Sequence, residues 1–428
     1  MVELKNMKLW HGLPALELLD DVNSLIVFSN INGELVFTKV EDRREIDKDT
    51  KKILNEEHFF DCLNNSSDYI SEELTVVLSL TEKCNCRCRY CFLDAEAQGV
   101  SMSPQMLTSS IDKAIELAKG RTINLSAFGG EPGTEEGLLQ LMVDYSKQKD
   151  AKFKYSITTN DIFSDKVLNL LIDNNFKVSF SMDGLPEVQN FQRPLQNSKP
   201  SYDVVEKQLL ALVRNGVNLK VRCTVTNFSV NKMVDTVKWL ANLGVKRIHF
   251  EPVTPGGRGC NNDELLQPPT AELFSKNLIK AIEEGEKYNV DIICFPYMNM
   301  MFAPITFCDG TAENRLVVSP EGVLSSCVEV QKKEHELFPY LGLGQYNFEK
   351  NELEIQFDKR RGAKRGCEAI KTTKRICVSC PLKFFCGGGC PTRNYRGSGN
   401  SEVVDEYRCD IIRLVMPYVL QRFYNNSI

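Results

Sequence analysis

The chain has 428 residues, 52 Lys and Arg against 57 Asp and Glu, a formal net charge of −5, and 42% hydrophobic residues. That length supports two or three domains with sizeable cores, and the mix is that of a globular chain, not a disordered or collagen-like one. Mild acidity without a dense Lys/Arg stripe argues against nucleic acid as the main partner. No run of about 18 apolar residues predicts a membrane span, and Met1–Asp20 lacks the apolar core and cleavage site of a signal peptide.

In chain order, Ser24–Phe28 reads as a strand, Asn32-Gly33 as a hairpin turn and Leu35–Phe37 as the return strand. A charged helix containing Ile53 and Leu54 follows, which makes residues 1–71 a small α+β segment. From Glu72 to about Met300, apolar strands alternate with helical patterns. The strands are Leu74–Leu80, Ile123–Phe128, Phe153–Thr158, Val178–Met182, Leu219–Thr226 and Arg247–Val253. The helices are Leu107–Ala118, Glu135–Ser146, Asp165–Asp173, Val204–Arg214, Met233–Leu243 and Ala271–Tyr288. Six strand–helix units predict an α/β fold with a parallel sheet, a partial (β/α)6 relative of the TIM barrel spanning residues 72–303. The loops after such strands carry chemistry. Residues 304–428 hold weak periodicity, many cysteines and a closing helix at Ile411–Phe423.

Sixteen cysteines need an explanation. With no export signal, disulfides are disfavoured and metal ligation becomes the reading to test. Cys84, Cys88 and Cys91 have three and then two residues between them and follow directly on the first barrel strand. Three thiolates in one loop can hold three corners of a four-iron cluster, leaving one iron for a non-protein ligand. A structural zinc site would need a fourth Cys or His, and no His lies in this loop. Cys86, between the ligands, is the competing thiol.

The segment Cys84-Asn85-Cys86-Arg87-Cys88-Arg89-Tyr90-Cys91-Phe92 resembles the signature of the radical S-adenosylmethionine superfamily. The resemblance implies a 4Fe-4S cluster whose open iron is chelated by the amino and carboxylate groups of S-adenosylmethionine. Reductive cleavage then yields a 5′-deoxyadenosyl radical that takes hydrogen from the substrate. It places Phe92 beside the cofactor and gives Gly129-Gly130-Glu131-Pro132, after the second strand, to the methionine amino group. Ser156 and Asn160 at the third strand and Ser181 at the fourth suit a ribose, which needs donors and acceptors. Ordinary loop capping is the competing explanation for each. Arg193 and Arg222 are candidates for the cofactor carboxylate. Arg222 sits mid-strand, where a charge is costly unless it points inward to an anion. Cys223 then faces the helices.

Cys308, Cys327, Cys377, Cys380, Cys386, Cys390 and Cys409 together resemble the SPASM domain of peptide-maturing and sulfatase-maturing radical enzymes. This implies two auxiliary 4Fe-4S clusters. Cys308, Cys327 and Cys390 serve the first, and Cys377, Cys380, Cys386 and Cys409 the second. Seven thiols for eight positions leave the first with an open iron or an outside ligand, Cys367 being the nearest unassigned thiol. A pair of zinc ribbons is the alternative on ligand type. Sulfatase-maturing members typically carry an aspartate after the cysteine matching Cys327, and this chain has Val328 and then Glu329. Maturation of a ribosomally made precursor peptide, by thioether or carbon–carbon cross-link or by epimerisation, is therefore the favoured expectation. Sulfatase maturation and a small-molecule radical reaction are the alternatives. Residues 1–71 could pair with a leader peptide by strand addition. The chemistry implies a reduced flavodoxin or ferredoxin-type electron donor and a reducing cytoplasm.

Overall fold

Two sheets organise the chain, with near-continuous burial along strands such as β-strand Glu73–Thr81 and strict alternation along Thr122–Gly129. The computed structural model describes residues 72–356 except 261, 296–307, 309 and 311–313. It also describes 375–427 except 387 and 402, and the segments 7–10, 13–17, 25–31, 34–40 and 48–56. The first sheet is an antiparallel meander of β1 (Met7–Trp10), β2 (Leu13–Glu17), β3 (Leu25–Ile31) and β4 (Glu34–Val40). β3 and β4 pair from Leu25 opposite Val40 to Ile31 opposite Glu34. The expected Asn32-Gly33 turn between them lies outside the described residues. The expected helix is Lys48–Glu56, with Leu54 buried.

The second sheet has eleven strands. Its parallel run is β5 (Glu73–Thr81), β6 (Thr122–Gly129), β7 (Phe153–Thr159), β8 (Lys177–Ser181), β9 (Leu219–Val225) and β10 (Arg247–Pro252). These are the six expected strands, each end within one residue. On β6, Ile123, Leu125 and Ala127 are buried beneath the helices while Asn124, Ser126 and Phe128 occupy the alternate positions. The helix Pro104–Ala118 starts three residues before the apolar periodicity does. Ser103 caps it by accepting from the Met106 amide at 3.1 Å, and Pro104 suits the first turn. Its Met106, Leu107 and Ile111 are fully buried, each contributing about 1.5–3 kcal/mol of burial free energy.

The sheet does not end with those six strands. β11 (Asp291–Ile293) extends it parallel to β10. Beside β5, β12 (Arg315–Val318) adds a parallel strand, followed by antiparallel β13 (Val323–Ser325), β14 (Gly342–Asn347) and β15 (Glu352–Ile355). The segment expected to lack regular structure thus continues the barrel sheet, and the anticipated boundary at 303 and 304 lies outside the described residues. The closing helix is longer than its apolar pattern suggests. It runs Glu406–Ser427, takes in Cys409 and accommodates Pro417. Phe37 of β4 packs edge-on against Phe423 and Tyr424 of that helix, ring centroids 5.7 and 5.2 Å apart. The two ends of the chain therefore meet. Among the described residues, no helix is long and apolar enough to cross a membrane.

Candidate active site

The loop after β5 is strapped by backbone bonds from both sides. The Cys84 amide donates to Glu96 O at 2.7 Å, Arg87 N to Pro194 O at 2.8 Å and Arg89 N to Gln192 O at 2.9 Å. Arg258 adds Nε to Cys88 O at 3.0 Å, and its own amide donates to Cys91 O at 3.0 Å. With its backbone so held, the loop turns Cys84, Cys88, Cys91 and Phe92 into one cavity at the carboxyl ends of the strands. Cys86 is 1% exposed and is not among the lining residues. Burial raises the Cys84 thiol to about 12. A hydrogen bond from Cys86, aided by Arg193 and opposed by burial, lowers Cys88 to about 7.

Gly129 and Gly130 also line this cavity, and the reason they are glycines lies in the backbone. A Cβ on Gly129 would sit 2.3 Å from Thr81 O, and one on Gly130 2.2 Å from Lys83 O. The end of β6 presses on the start of the cysteine loop, and only glycine allows that approach. Gly129 also has φ +135. Glu131 is fully buried and is not among the lining residues. Its carboxylate accepts from Gly133 N at 2.7 Å, Thr159 Oγ1 at 2.6 Å and Asn160 N at 2.6 Å. Burial raises it to about 7 against the pull of those three donors. Glu131 thus ties the end of β6 to the end of β7. The carboxylate expected to accept from a ligand ammonium is thus occupied by three protein donors.

Asn160 and Ser181 line the cavity as expected. Asn160 Nδ2 donates to Asn85 Oδ1 at 2.7 Å and approaches Cys84 Sγ at 3.5 Å, so it contacts the cysteine loop directly. Ser156 does not reach it. β7 continues to Thr159, which leaves Ser156 a layer lower, donating to Asn124 Oδ1 at 3.0 Å. Both arginines line the cavity, in different settings. Arg193 is 9% exposed, and its Nη1 donates to Tyr90 OH at 3.0 Å. The Tyr90 hydroxyl in turn donates to Asp183 Oδ2 at 2.5 Å. Arg222 is exposed to the cavity from mid-strand while Cys223 behind it is 1% exposed, the alternation expected of β9.

Sequence reasoning missed the far wall. Glu251 of β10 lines the cavity, accepts from Arg408 and is 3.3 Å from His249 Nε2. Burial pushes its carboxyl up, but Arg408 and His249 outweigh this and hold it well below the usual range. Only the pairing of strand and closing helix reveals it, since its partner stands 157 residues away.

In the carboxy-terminal region, Cys377, Cys380, Cys386 and Cys409 line one small cavity with Leu382, Val404 and Ile412. Cys390 joins Cys386 and Cys409 around an adjacent one. Cys327 Sγ is 3.6 Å from Thr392 Oγ1, with its thiol raised to about 12 by burial first and then by Glu329 and Cys390. Cys308 lies beside Ser326, since a Cβ on Gly310 would fall 2.4 Å from Ser326 O and 3.6 Å from Cys308 Sγ. Cys367 lies outside the described residues. None of the described cysteines forms a disulfide. Among the described residues, no three Cys, His, Asp or Glu side chains are grouped to hold a single metal ion. Cys377, Cys380, Cys386 and Cys409 surround a cavity, an arrangement that suits the four corners of a polynuclear iron–sulfur cluster.

Residues 78–267 match the Radical SAM superfamily. An uncharacterised protein of Methanocaldococcus jannaschii is 28% identical over 48% of this chain and 70% of its own. A serine-type anaerobic sulfatase-maturating enzyme of Klebsiella aerogenes is 22% identical over 78% of this chain and 84% of its own. The radical SAM cyclopropyl synthase TigE of Paramaledivibacter caminithermalis is 23% identical over 82% and 74%. Among solved structures, anSMEcpe with bound AdoMet and Kp18Cys peptide superposes with TM-score 0.66 at 19% identity, covering 83% of this chain and 100% of that one. Streptococcus suis SuiB bound to the precursor peptide SuiA gives 0.55 at 15%, covering 89% and 83%. These likenesses establish the fold, a partial barrel on a mostly parallel sheet.

Proposed function

We propose that the chain is a radical S-adenosylmethionine enzyme of the SPASM type that modifies a ribosomally synthesised peptide, a reading supported by the superfamily match over residues 78–267. Its cofactors are a 4Fe-4S cluster and S-adenosylmethionine. The observation that carries the reading is the convergence of Cys84, Cys88 and Cys91 on a cavity that also holds polar groups for a second ligand. When bound, the cluster supplies an electron to the sulfonium of S-adenosylmethionine.

The chain's own residues bind, orient and shield. Cys84, Cys88 and Cys91 would hold three irons and leave the fourth open. Gly129 and Gly130 present backbone beside it, and Glu131 fixes their position through Thr159 and Asn160. Arg193 and Arg222 offer cations to the cofactor carboxylate, and Asn160 and Ser181 offer donors and acceptors to its ribose. Phe92 and Val253 close the apolar side of the cavity and exclude water. Cys377, Cys380, Cys386 and Cys409 would hold one auxiliary cluster, and Cys308, Cys327 and Cys390 another. The protein's share is positioning, and the cofactors do the hard chemistry.

The peptide reading draws on TigE and SuiB, and on one local contact. Glu329, the acidic side chain nearest the place of the sulfatase-type base, is 2.7 Å from Arg393 Nη2 and 2.8 Å from Arg396 Nη2. Both of its carboxylate oxygens are therefore engaged by guanidinium groups and not turned to a substrate. This favours cross-linking or epimerisation over formylglycine formation. A flavodoxin or ferredoxin-type donor and a reducing cytoplasm complete the proposal, with residues 1–71 as leader-binding segment, 72–303 as barrel and 304–428 as auxiliary-cluster domain. The test is a search of the neighbouring genes for a short precursor peptide, then anaerobic reconstitution of the chain with that peptide and mass spectrometry. Loss of two hydrogens without a hydrazide-reactive aldehyde marks a cross-link, the same loss with an aldehyde marks formylglycine from serine, and unchanged mass with deuterium uptake marks an epimer. Zinc in place of iron, or no cleavage of S-adenosylmethionine, would sink the reading.

A further inference from the structure

A buried ion pair gains little stability once the cost of desolvating both charges is counted, so its place in a fold calls for another reason. The pair between Glu251 of β10 and Arg408 of the closing helix is buried at both ends. It also joins two regions of different chemistry. Glu251 lines the cofactor cavity beside Pro252 and Val253. Arg408 lines a small cavity with Cys386, Cys390 and Cys409. The ion pair therefore runs from one cavity wall to the other, and its field needs no open channel between them.

The groups around each end define its polarity. Glu251 also contacts His249, but burial lowers that imidazole below its ordinary value and keeps it neutral. Among the described residues, Arg408 is then the one full cation in ion-pair contact with Glu251. Arg222 adds a weaker pull on the same carboxylate. At the other end the Arg408 guanidinium lies over the Phe295 ring, 4.3 Å from its centroid, and feels Cys390 and Asp405 after Glu251. Asp405 lines the same small cavity, where its Oδ1 accepts from the Tyr407 amide at 3.1 Å. The result is a fixed dipole, negative toward the cofactor cavity and positive toward the cysteines.

We propose that Arg408 tunes the reduction potential of the auxiliary clusters, and that Glu251 ties its charge to the cavity in which the substrate is oxidised. The proposal rests on the auxiliary-cluster reading above and adds the residues that direct the electron. In a cross-link the peptide loses two hydrogens. One leaves as the atom taken by the 5′-deoxyadenosyl radical. The other leaves as a proton to water and an electron to an oxidised auxiliary cluster. The receiving cluster becomes more negative by one charge, which a buried cation beside its ligands favours. The carboxylate at the far end of the dipole favours the loss of negative charge from the substrate.

The test is a redox titration of the anaerobically reconstituted full chain, read by electron paramagnetic resonance, with iron counted on the same samples. The signal that changes when S-adenosylmethionine is added belongs to the first cluster, and the others are auxiliary. Glu251→Gln removes the anion and should raise an auxiliary midpoint above the parent's. Glu251→Gln combined with Arg408→Met removes both charges. At a fixed poise its auxiliary reduced-to-oxidised ratio should fall about tenfold below that of Glu251→Gln, about 59 mV for a one-electron couple. Between these two variants the first cluster's midpoint should move less, which a general loosening of the fold would not reproduce. Arg408→Lys keeps the charge and should stay near the parent. Equal auxiliary midpoints in Glu251→Gln and the double variant, at matched iron content, overturn the proposal. If the double variant does not fold, Glu251→Gln still decides, since an unmoved auxiliary midpoint there shows that the pair does not reach the clusters. A parent chain with about four irons and one signal overturns the auxiliary-cluster reading and this proposal together. A parent with about twelve irons whose midpoints ignore these substitutions overturns this proposal alone.

Discussion

The two places where cysteines converge differ in everything but sulfur. Around Cys84, Cys88 and Cys91 the cavity also holds Gly130 backbone, Asn160, Ser181 and two arginines. Around Cys377, Cys380, Cys386 and Cys409 the lining is mostly Leu382, Val404 and Ile412, with Lys383 and Arg413 at its margin and no amide or hydroxyl side chain. A cluster that must share its cavity with a zwitterionic cofactor needs hydrogen-bonding groups beyond its ligands. A cluster with a complete ligand set needs only a shell that keeps water away. The contrast between a cavity rich in hydrogen-bonding groups and one walled mainly by aliphatic side chains thus parallels three thiols against four.

Substitutions on the two sides should separate these roles. The largest effect is expected from Cys88→Ala, which should reduce 5′-deoxyadenosine formation to background. Continued formation by a folded variant would show that the first cavity is not the reducing site. Gly130→Ala comes next. Its Cβ would meet Lys83 O at 2.2 Å and Glu82 O at 2.6 Å, both backbone atoms leading into Cys84. Loss of about 3 kcal/mol in denaturant unfolding is expected, with reduced iron in the first site. Unchanged stability would mean that the loop yields.

Cys380→Ala should lose about four irons per chain and block peptide modification while cleavage of S-adenosylmethionine continues. If cleavage stops as well, the apolar site is not auxiliary. Arg222→Met should raise the KM for S-adenosylmethionine about tenfold with little change in kcat, as expected for removal of a carboxylate partner. An unchanged KM would leave Arg193 as the cofactor's cation. The smallest effect is expected from Glu329→Gln. It weakens two ion pairs to Arg393 and Arg396 without removing a base, so about 1–2 kcal/mol of stability should go while turnover holds. Abolished turnover in a folded Glu329→Gln would restore the sulfatase-type alternative.

Much of the barrel was legible because its strands are long enough to show a period. Each of the six appears within one residue of its pattern. β11, β12 and β13 have three or four residues, too few to display alternation, so the extension of the sheet was not. In the site, the cysteine loop, Gly129, Gly130, Asn160 and Ser181 could be read from strand ends, and Arg222 from its place mid-strand. Ser156 was placed one layer too high because β7 continues to Thr159. Glu131 was assigned to a ligand because nothing local shows that Thr159 and Asn160 come round to meet it.

The sequence by itself determined what depends on short separations. The spacing of Cys84, Cys88 and Cys91 confines three sulfurs to one loop, and alternation along each strand decides which side chains face inward. Only the tertiary structure decided what those faces meet. Barrel closure gathers Lys220, Arg222, Arg247 and Arg315 into one lumen, and the closing helix brings Arg408 to Glu251. The reason is that chain connectivity constrains neighbours within a turn or a strand. Contacts between residues a hundred or more positions apart follow instead from register and packing, which no local pattern encodes.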